Sequence, residues 1–285
     1  EIHYVFGKWY IYFAAGEQED MWKIRPYVLE CQGEDLICDS WIEKGKMQRA
    51  KEDEFSFEAF SLDGTVFENK GEWYYVWAEK VGVGKQISNL YIAKMENGYT
   101  LKTVQVLLTT PDYDWERIGF WVNEGPGVIK KDGKIFLTYS ASETGIVYCV
   151  GMLTADENSD LLDPLSWKKE RYPVLKTNES LEIYGPGHNS FTKDEEGNDI
   201  IDTFTETEQE LLCDKKAYLP TTSEISGYTS GKMGTTPTNS LRRKITNDAQ
   251  EYGRRFGYTR LQTENSIKFQ IEKSHPYWLV TDNLR

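Results

Sequence analysis

Four turn-like glycines recur at a nearly constant distance along the chain, and an aromatic or apolar segment that resembles a β-strand follows each one. They are Gly7, Gly71, Gly133 and Gly197, so successive copies are 64, 62 and 64 residues apart. A fixed period of this kind is the signature of a repeat architecture. The copy after Gly197 is the weakest, because Asp202 interrupts its apolar run.

The residues around these glycines favour hairpins within a four-stranded repeat. Asn69-Lys70 and Lys131-Asp132 precede two of the glycines, as in a tight β-turn. Third strands are predicted at 89–93 and 147–152, and fourth, outer strands at 104–108 and 172–175. Four strands per repeat is the pattern of a propeller blade. The sequence therefore predicts an all-β, five-bladed β-propeller of four-stranded antiparallel blades, incomplete or atypically closed, with a β-sandwich as the alternative.

The repeat also predicts the domain organisation. Blade boundaries fall at about 1–60, 61–122, 123–186 and 187 onward. Residues 201–285 are polar, rich in Thr and Ser, and follow no blade pattern. They are predicted to form an atypical C-terminal segment, a candidate for closing the propeller.

Charge and composition exclude several classes of partner. The net charge of −13 repels phosphate backbones, so nucleic acid is not expected as a ligand, whereas a neutral carbohydrate meets no such penalty. No apolar run reaches the length of a membrane span, so no membrane association is expected. The sequence has no signal-peptide pattern, which favours a cytoplasmic location over secretion. It leaves the oligomeric state open.

The four cysteines favour neither a metal site nor a disulfide framework. Cys31, Cys38, Cys149 and Cys213 contain no CxxC pair, and no histidine stands near enough to complete a zinc pattern. They are predicted to be free, buried thiols.

Residues that carry chemistry stand shortly before each turn glycine. Asp63 is eight residues before Gly71, Glu124 nine before Gly133, His188 nine before Gly197, and Glu1 six before Gly7. Taken singly, Asp63 reads as a turn residue, Glu124 as part of an exposed loop and His188 as a hydrogen-bonded structural residue. Their shared position changes this interpretation, because the first strands of successive blades line one central channel. The sequence predicts that these side chains converge on one site.

The motifs around these residues resemble glycoside hydrolase family 43, a family of five-bladed propellers that includes α-L-arabinofuranosidases and β-xylosidases. The resemblance covers about residues 1–200. It rests on four motifs: Glu1-Ile2-His3-Tyr4, Leu62-Asp63-Gly64-Thr65, Asn123-Glu124-Gly125-Pro126 and Gly185-Pro186-Gly187-His188. The family cleaves glycosidic bonds with inversion, so the resemblance implies a hydrolase acting on arabinose- or xylose-containing fragments of plant polysaccharides.

The resemblance also implies roles for individual residues. Glu124 matches the general acid and Asp63 the aspartate that tunes it, while Glu1 matches the end of a substrate-binding segment. His188 matches the histidine at the channel floor, which is associated with calcium and its waters, so calcium is the expected cofactor. We expect aromatic walls from Trp115, Phe120 or Trp121 to help raise the pKa of Glu124, and substrate contacts from Trp115, Trp121, His188 and Glu1.

Two departures from the family pattern concern the general base and the C-terminal part. The family's base aspartate lies in a first blade that precedes the segment matched by residue 1, so no counterpart is identified; Asp248 and Asp282 are weak candidates. After residue 200 the resemblance ends. The alternatives are therefore a carbohydrate-binding or catalytically impaired propeller that lacks the base, and a propeller that serves only as a protein-interaction platform.

Overall fold

The computed structural model of the chain describes residues 1–20, 22–33, 40–81, 87–194 and 197–206, together with the backbone of 277–280. The first blade is a four-stranded antiparallel sheet in the order β1-β2-β3-β4. Its strands are β1 (Ile2–Val5), β2 (Lys8–Glu17), β3 (Arg25–Cys31) and β4 (Trp41–Lys46).

Two further blades and the start of a fourth follow. The second blade consists of β5 (Ser61–Asn69), β6 (Glu72–Val81), β7 (Ile87–Asn97), β8 (Thr100–Leu101) and β9 (Val106–Thr109), with β8 and β9 both pairing with β7. The third consists of β10 (Trp121–Lys131), β11 (Lys134–Ala141), β12 (Cys149–Asp156) and β13 (Lys168–Lys169). The fourth blade is represented by β14 (Tyr184–Lys193) and β15 (Asp199–Glu206). Short 3₁₀ turns lie at Asp114–Glu116, Pro164–Ser166 and Glu179–Leu181.

These strands confirm the predicted fold class. The described residues supply two four-stranded blades, a second blade in which the outer position is shared by β8 and β9, and two strands of a fourth, which is an incomplete share of a five-bladed propeller. The second, third and fourth blades open at Ser61, Trp121 and Tyr184, where the sequence placed boundaries at 61, 123 and 187. No helix within the described residues is long and apolar enough to cross a membrane.

The hairpin turns follow from backbone geometry at the repeated glycines. Gly7, Gly71 and Gly133 have φ angles of 80°, 80° and 74°, and the residue before each glycine also has a positive φ. Two consecutive positive φ angles define the type I′ turn, whose twist matches that of the flanking strands. This geometry confirms the predicted hairpins.

The core lies between blades. Strand β6 is buried on both faces: Tyr74, Val76 and Ala78 pack in a cluster with the third blade, and Tyr75 and Trp77 in a cluster with the first. Alternation with period two sends successive side chains to opposite faces. Burial of a side chain the size of Val76 contributes about 1.5–3 kcal/mol, so this packing on both faces of β6 fixes how neighbouring blades face each other.

Some predictions for outer elements need correction. The fourth strand predicted at 172–175 is wrong: β13 lies earlier, at Lys168–Lys169, and Leu175 makes only an isolated bridge to Val150. An outer strand is held by one neighbour, so pairing contacts rather than its apolar content decide its position. Cys31 and Cys149 are free and buried, as predicted, whereas Cys38 and Cys213 lie outside the described residues.

Two short stretches of the C-terminal segment 201–285 are described, residues 201–206 within β15 and residues 277–280. Strand β16 (Tyr277–Val280) pairs antiparallel with Ala14 to Glu17 of β2, on the edge that β1 also occupies. Asp248 and Asp282, the weak candidates for the general base, lie outside the described residues.

Candidate active site

A β-bulge interrupts the inner strand of the second, third and fourth blades at the same place. The pairing register shifts between Leu62 and Thr65 in β5, between Glu124 and Gly127 in β10, and between Gly187 and Ser190 in β14. In each case two residues of the inner strand stand opposite one residue of its neighbour. Bulges of this kind bend a strand and redirect side chains, and they are common next to active sites.

The first residue inside each bulge has a left-handed backbone. Asp63, Gly125 and His188 have φ angles of 54°, 54° and 47°. For a residue other than glycine this conformation costs on the order of 1–3 kcal/mol, a strain that clusters at functional sites. Asp63 and His188 are therefore structurally equivalent, whereas Glu124 comes one residue earlier. The counts from the turn glycines, eight for Asp63 and nine for Glu124, match this offset, whereas the count of nine for His188 is one more than that of its equivalent Asp63.

The structure brings Asp63, Glu124 and His188 together. The backbone N–H of Gly125 donates to Asp63 Oδ2 at 3.1 Å, and His188 Nε2 lies 3.9 Å from Asp63 Oδ1. A Cβ atom added to Gly125 would lie 3.2 Å from His188 Nδ1, so the imidazole ring packs directly on this glycine. Three consecutive blades thus meet at one point.

The environment of Glu124 favours its protonated form. Burial raises the pKa of the Glu124 carboxyl most, and the negative charge of Asp63 raises it further, to about 7. His188, the hydroxyl of Tyr148 and Lys80 act in the opposite direction but do not cancel these effects. Because the carboxyl still holds its proton near neutral pH, it can serve as a proton donor.

Glu1 lies near the inner strand of the second blade, because its charge and that of Asp63 both raise the pKa of the Tyr75 hydroxyl. Burial by itself would raise the pKa of Glu1, but the hydrogen bond and charge of His3, with a contribution from the Thr65 side chain, lower it to about 2. The His3 Nε2 atom donates to Glu1 Oε2 at 2.8 Å. Glu1 is therefore an anion over the working pH range, suited to accepting hydrogen bonds rather than giving up a proton.

The aromatic residues expected to line the site, Trp115, Phe120 and Trp121, lie in different environments. The Trp115 ring stacks on Tyr113 and Tyr139, and its indole N–H donates to the carbonyl of Arg171 at 3.0 Å. Its 3₁₀ turn directs it into the core of the third blade, so these contacts do not join it to Glu124. Trp121 opens β10 three residues before Glu124.

Trp121 is half-buried, as Trp115 is, whereas Phe120 is exposed. The Trp121 ring carries the Arg117 guanidinium 5.3 Å from its centroid. Phe120 is 65% exposed.

Sequence reasoning missed Tyr148 and Ser140. The Tyr148 hydroxyl donates to Glu124 Oε1 at 2.8 Å, and Ser140 stands opposite Glu124 across the β10–β11 pair. Both residues read as ordinary strand residues in the sequence. The available signal was Gly187, since a Cβ atom there would overlap the Tyr148 ring.

The donors at His188 do not fit a calcium cage. Calcium takes six to eight oxygen ligands, yet no group of three or more His, Cys, Asp or Glu side chains in the described part of the chain could hold an ion. His188 faces Asp63, and one oxygen of that carboxylate already accepts from Gly125. Calcium at His188 remains a prediction, to be tested by chelation and the melting temperature, and no step below depends on it.

Several known proteins are similar to this chain in sequence and in fold. An extracellular exo-α-(1→5)-L-arabinofuranosidase of Streptomyces chartreusis is 44% identical over 215 residues, 75% of this chain and 64% of that protein. Alpha-L-arabinofuranosidase 43 of Humicola insolens is 44% identical, covering 70% of this chain and 41% of that one. The crystal structure of an α-L-arabinofuranosidase from Lactobacillus brevis matches with 46% identity and a TM-score of 0.65, over 73% of this chain and 64% of that one. The chain thus spans less than two thirds of these relatives.

The expectation of a cytoplasmic location is wrong. The relatives from Streptomyces chartreusis and Streptomyces avermitilis, 44% and 45% identical, are both named extracellular enzymes. The absence of a signal-peptide pattern within these residues therefore does not favour the cytoplasm.

The family assignment rests on most of the chain. The sequence model of Glycosyl hydrolases family 43 matches residues 1–218, a span that contains Glu1 and the inner strands on which Asp63, Glu124 and His188 lie. A thermostable family-43 glycoside hydrolase matches with 26% identity and a TM-score of 0.61, over 74% of this chain and 66% of that one. The chain belongs to glycosyl hydrolases family 43.

Proposed function

We propose that the protein is a glycoside hydrolase that releases arabinose from arabinose-containing polysaccharide fragments, with Glu124 as the general acid. The observation that carries the proposal is the state of Glu124, a half-buried carboxyl beside Asp63 whose pKa is raised to about 7. An acid of this kind protonates the departing glycosidic oxygen at the pH where the enzyme works.

Asp63 acts on Glu124 through its charge. Its carboxylate is held by the Gly125 N–H and faces His188, so it keeps a fixed position next to the strand that carries Glu124. A like charge nearby disfavours the ionised form of a carboxyl group. Asp63 thus keeps Glu124 protonated until the glycosidic oxygen takes the proton, and carboxylate oxygens are also acceptors for sugar hydroxyls.

The general base is a separate requirement. An inverting mechanism places the base about 6.5–9.5 Å from the acid, so that one water molecule fits beside the sugar. Glu1 is a poor candidate, because its pKa of about 2 makes it a weak base and His3 occupies one of its oxygens. In this proposal Glu1 binds the substrate, and the base comes from outside the described residues.

The sugar assignment is supported by the relatives. The four curated relatives, 41–45% identical, are all named arabinofuranosidases. Arabinose is therefore favoured over xylose. The same names support an extracellular enzyme, because two of them include that word.

The experiment compares purified protein on aryl α-L-arabinofuranoside, aryl β-D-xyloside and α-1,5-linked arabino-oligosaccharides. We expect hydrolysis of the arabinosides, loss of that activity in Glu124→Gln on the oligosaccharides, and no change in Glu96→Gln, which alters an exposed carboxylate on β7. Binding of arabino-oligosaccharides without hydrolysis would favour a propeller that lacks its base. Hydrolysis of the xyloside alone would contradict the sugar assignment.

A further inference from the structure

A chain of hydroxyl groups connects the backbone of the fourth blade to the Glu124 carboxyl. The N–H of His188 donates to Ser140 Oγ at 2.5 Å, the Ser140 side chain hydrogen-bonds to the Tyr148 hydroxyl, and Tyr148 Oη donates to Glu124 Oε1 at 2.8 Å. Ser140 and Tyr148 are both almost completely buried. The roles proposed above for Glu124, Asp63 and Glu1 do not involve these two hydroxyl groups.

The direction of the chain is fixed at its start. A backbone N–H only donates, so Ser140 Oγ accepts from His188 and has its own proton free for Tyr148. Tyr148 Oη accepts from Ser140 and uses its own proton for Glu124. Each hydroxyl is therefore both acceptor and donor, and successive hydrogen bonds of this kind strengthen one another.

The position of the Tyr148 ring is fixed by packing. A Cβ atom on Gly187 would overlap the ring at Cε1 and Cδ1, so the absence of a side chain at Gly187 makes room for it. A buried ring pressed against a backbone has little freedom to rotate away. Gly187 is therefore needed at this position to leave room for the Tyr148 ring.

We infer that Tyr148 is a positioning residue for the general acid, and that its hydroxyl holds Glu124 Oε1 as an acceptor so that Oε2 carries the transferable proton. This inference rests on the proposed function. In the step concerned, the Oε2–H bond breaks as the glycosidic oxygen takes the proton, and the bond from that oxygen to the sugar carbon breaks. A water oxygen bonds to the same carbon from the opposite face and gives its proton to the general base. Glu124 is left as a carboxylate, to which Tyr148 still donates.

The Tyr148 hydrogen bond grows stronger during this step. A donor to a carboxylate makes a stronger hydrogen bond than a donor to a neutral carboxyl group, so Tyr148 stabilises the transition state more than the bound substrate. The charged groups that face Glu124 from other elements are Asp63 on β5, Lys80 on β6 and His188 on β14. The Tyr148 hydroxyl opposes the rise in the pKa of Glu124 that Asp63 causes.

The first test is spectroscopic and needs no activity. Infrared difference spectra of the full chain are recorded between acidic and alkaline pH. The C=O band of the Glu124 carboxyl is identified as the band that is missing from the spectrum of Glu124→Gln. Tyr148→Phe keeps the ring but removes the donor, so the band should move to higher wavenumber. A band at the same wavenumber in Tyr148→Phe would overturn the inference, whether or not the protein hydrolyses arabinosides.

The second test is kinetic. In Tyr148→Phe, kcat on α-1,5-arabino-oligosaccharides should fall by about ten- to a hundredfold with KM nearly unchanged, the effect of losing one hydrogen bond to a charged group. The loss should be smaller on an aryl arabinofuranoside, which needs less help from the acid. An equal loss on both substrates would contradict the positioning role. If unmodified protein hydrolyses neither substrate, the proposed function fails and the infrared band still decides on Tyr148.

The matched control is Tyr139→Phe. Tyr139 is also buried, packs on a glycine (Gly151), and donates to a buried carboxylate at 2.9 Å, but that carboxylate is Glu116 in the core of the third blade. Tyr139→Phe should lower the melting temperature without shifting the Glu124 band or changing the dependence on the leaving group. Equal spectroscopic and kinetic effects of the two variants would overturn the inference.

Discussion

Asp63 and Gly125 are joined by a hydrogen bond from the Gly125 N–H to Asp63 Oδ2, at 3.1 Å, which links the inner strands of two blades. The peptide that makes this bond follows Glu124 directly. The bond therefore fixes the distance between the charge of Asp63 and the carboxyl whose pKa it raises. Both residues that form it have left-handed backbones within bulges.

Asp63→Asn tests the electrostatic part of this relationship. Asparagine keeps an acceptor for the Gly125 N–H and tolerates a positive φ, so the bulge should survive. Removing the charge should lower the pKa of Glu124 by roughly one unit. The alkaline limb of the pH profile for arabinoside hydrolysis, which follows deprotonation of Glu124, should then move to lower pH.

Asp132→Asn is the control for this substitution. Asp132 lies in the turn between β10 and β11, where asparagine is equally at home with a positive φ. The control should keep the pH profile of the unmodified protein. An unmoved alkaline limb in Asp63→Asn would mean that burial alone sets the pKa of Glu124.

Glu124→Gln should change how stability depends on pH. The folded protein holds the Glu124 proton up to about pH 7, whereas the ordinary value is 4.5. The stabilisation is thus complete below the ordinary pKa and is lost as pH rises through about 7. The difference in the free energy of unfolding between Glu124→Gln and unmodified protein should therefore change in favour of the variant from pH 4 to pH 8, by no more than about 3 kcal/mol.

Urea unfolding at pH 4, 6 and 8 measures this difference, with Glu96→Gln as the control. An offset between Glu124→Gln and unmodified protein that stays constant with pH would contradict the raised pKa. A constant offset is the result expected for Glu96→Gln.

Gly64→Ala tests why a glycine follows Asp63. A Cβ atom at Gly64 would overlap the hydroxyl of Tyr75, a completely buried side chain. We expect an overpacking cost of about 1–3 kcal/mol together with displacement of Asp63 and loss of arabinoside hydrolysis. Gly71→Ala meets open space at a φ of 80°, so it should cost about 1–2 kcal/mol and leave hydrolysis unchanged.

A second substitution should relieve this overlap. The Tyr75 hydroxyl has no hydrogen-bond partner within the described residues, so Tyr75→Phe should be well tolerated. Combined with Gly64→Ala, it should restore part of the lost stability. Activity that is unaffected in Gly64→Ala would show that Asp63 does not depend on this contact.

The blades and hairpins were predictable because their causes are local. A type I′ turn requires positive φ angles, so Gly71 and Gly133 identify the turns within a single sequence. The bulges were not predictable, because an extra residue in β5 or β10 becomes apparent only against its neighbouring strand. Counting from the turn glycines therefore grouped Asp63, Glu124 and His188 as equivalent, although only Asp63 and His188 occupy the same position within a bulge.

The support around Glu124 was hidden for a related reason. Ser140 lies on β11 and Tyr148 directly before β12, and both meet Glu124 only through tertiary pairing, so their sequence context resembles that of core residues. For Trp115, the sequence suggested a contact with the site that the structure does not show. It is an aromatic residue near Glu124 in sequence, but its 3₁₀ turn directs the ring onto Tyr139.

The most direct test of the account is the dependence of the Glu124→Gln variant on the leaving group. Glutamine preserves shape but has no transferable proton, and general acid catalysis typically contributes about 10²–10⁴-fold. On α-1,5-arabinobiose kcat should fall by about that factor, and on an aryl arabinofuranoside with a good leaving group it should fall much less. Equal kcat values for Glu124→Gln and unmodified protein on arabinobiose would contradict the assignment of Glu124 as the general acid.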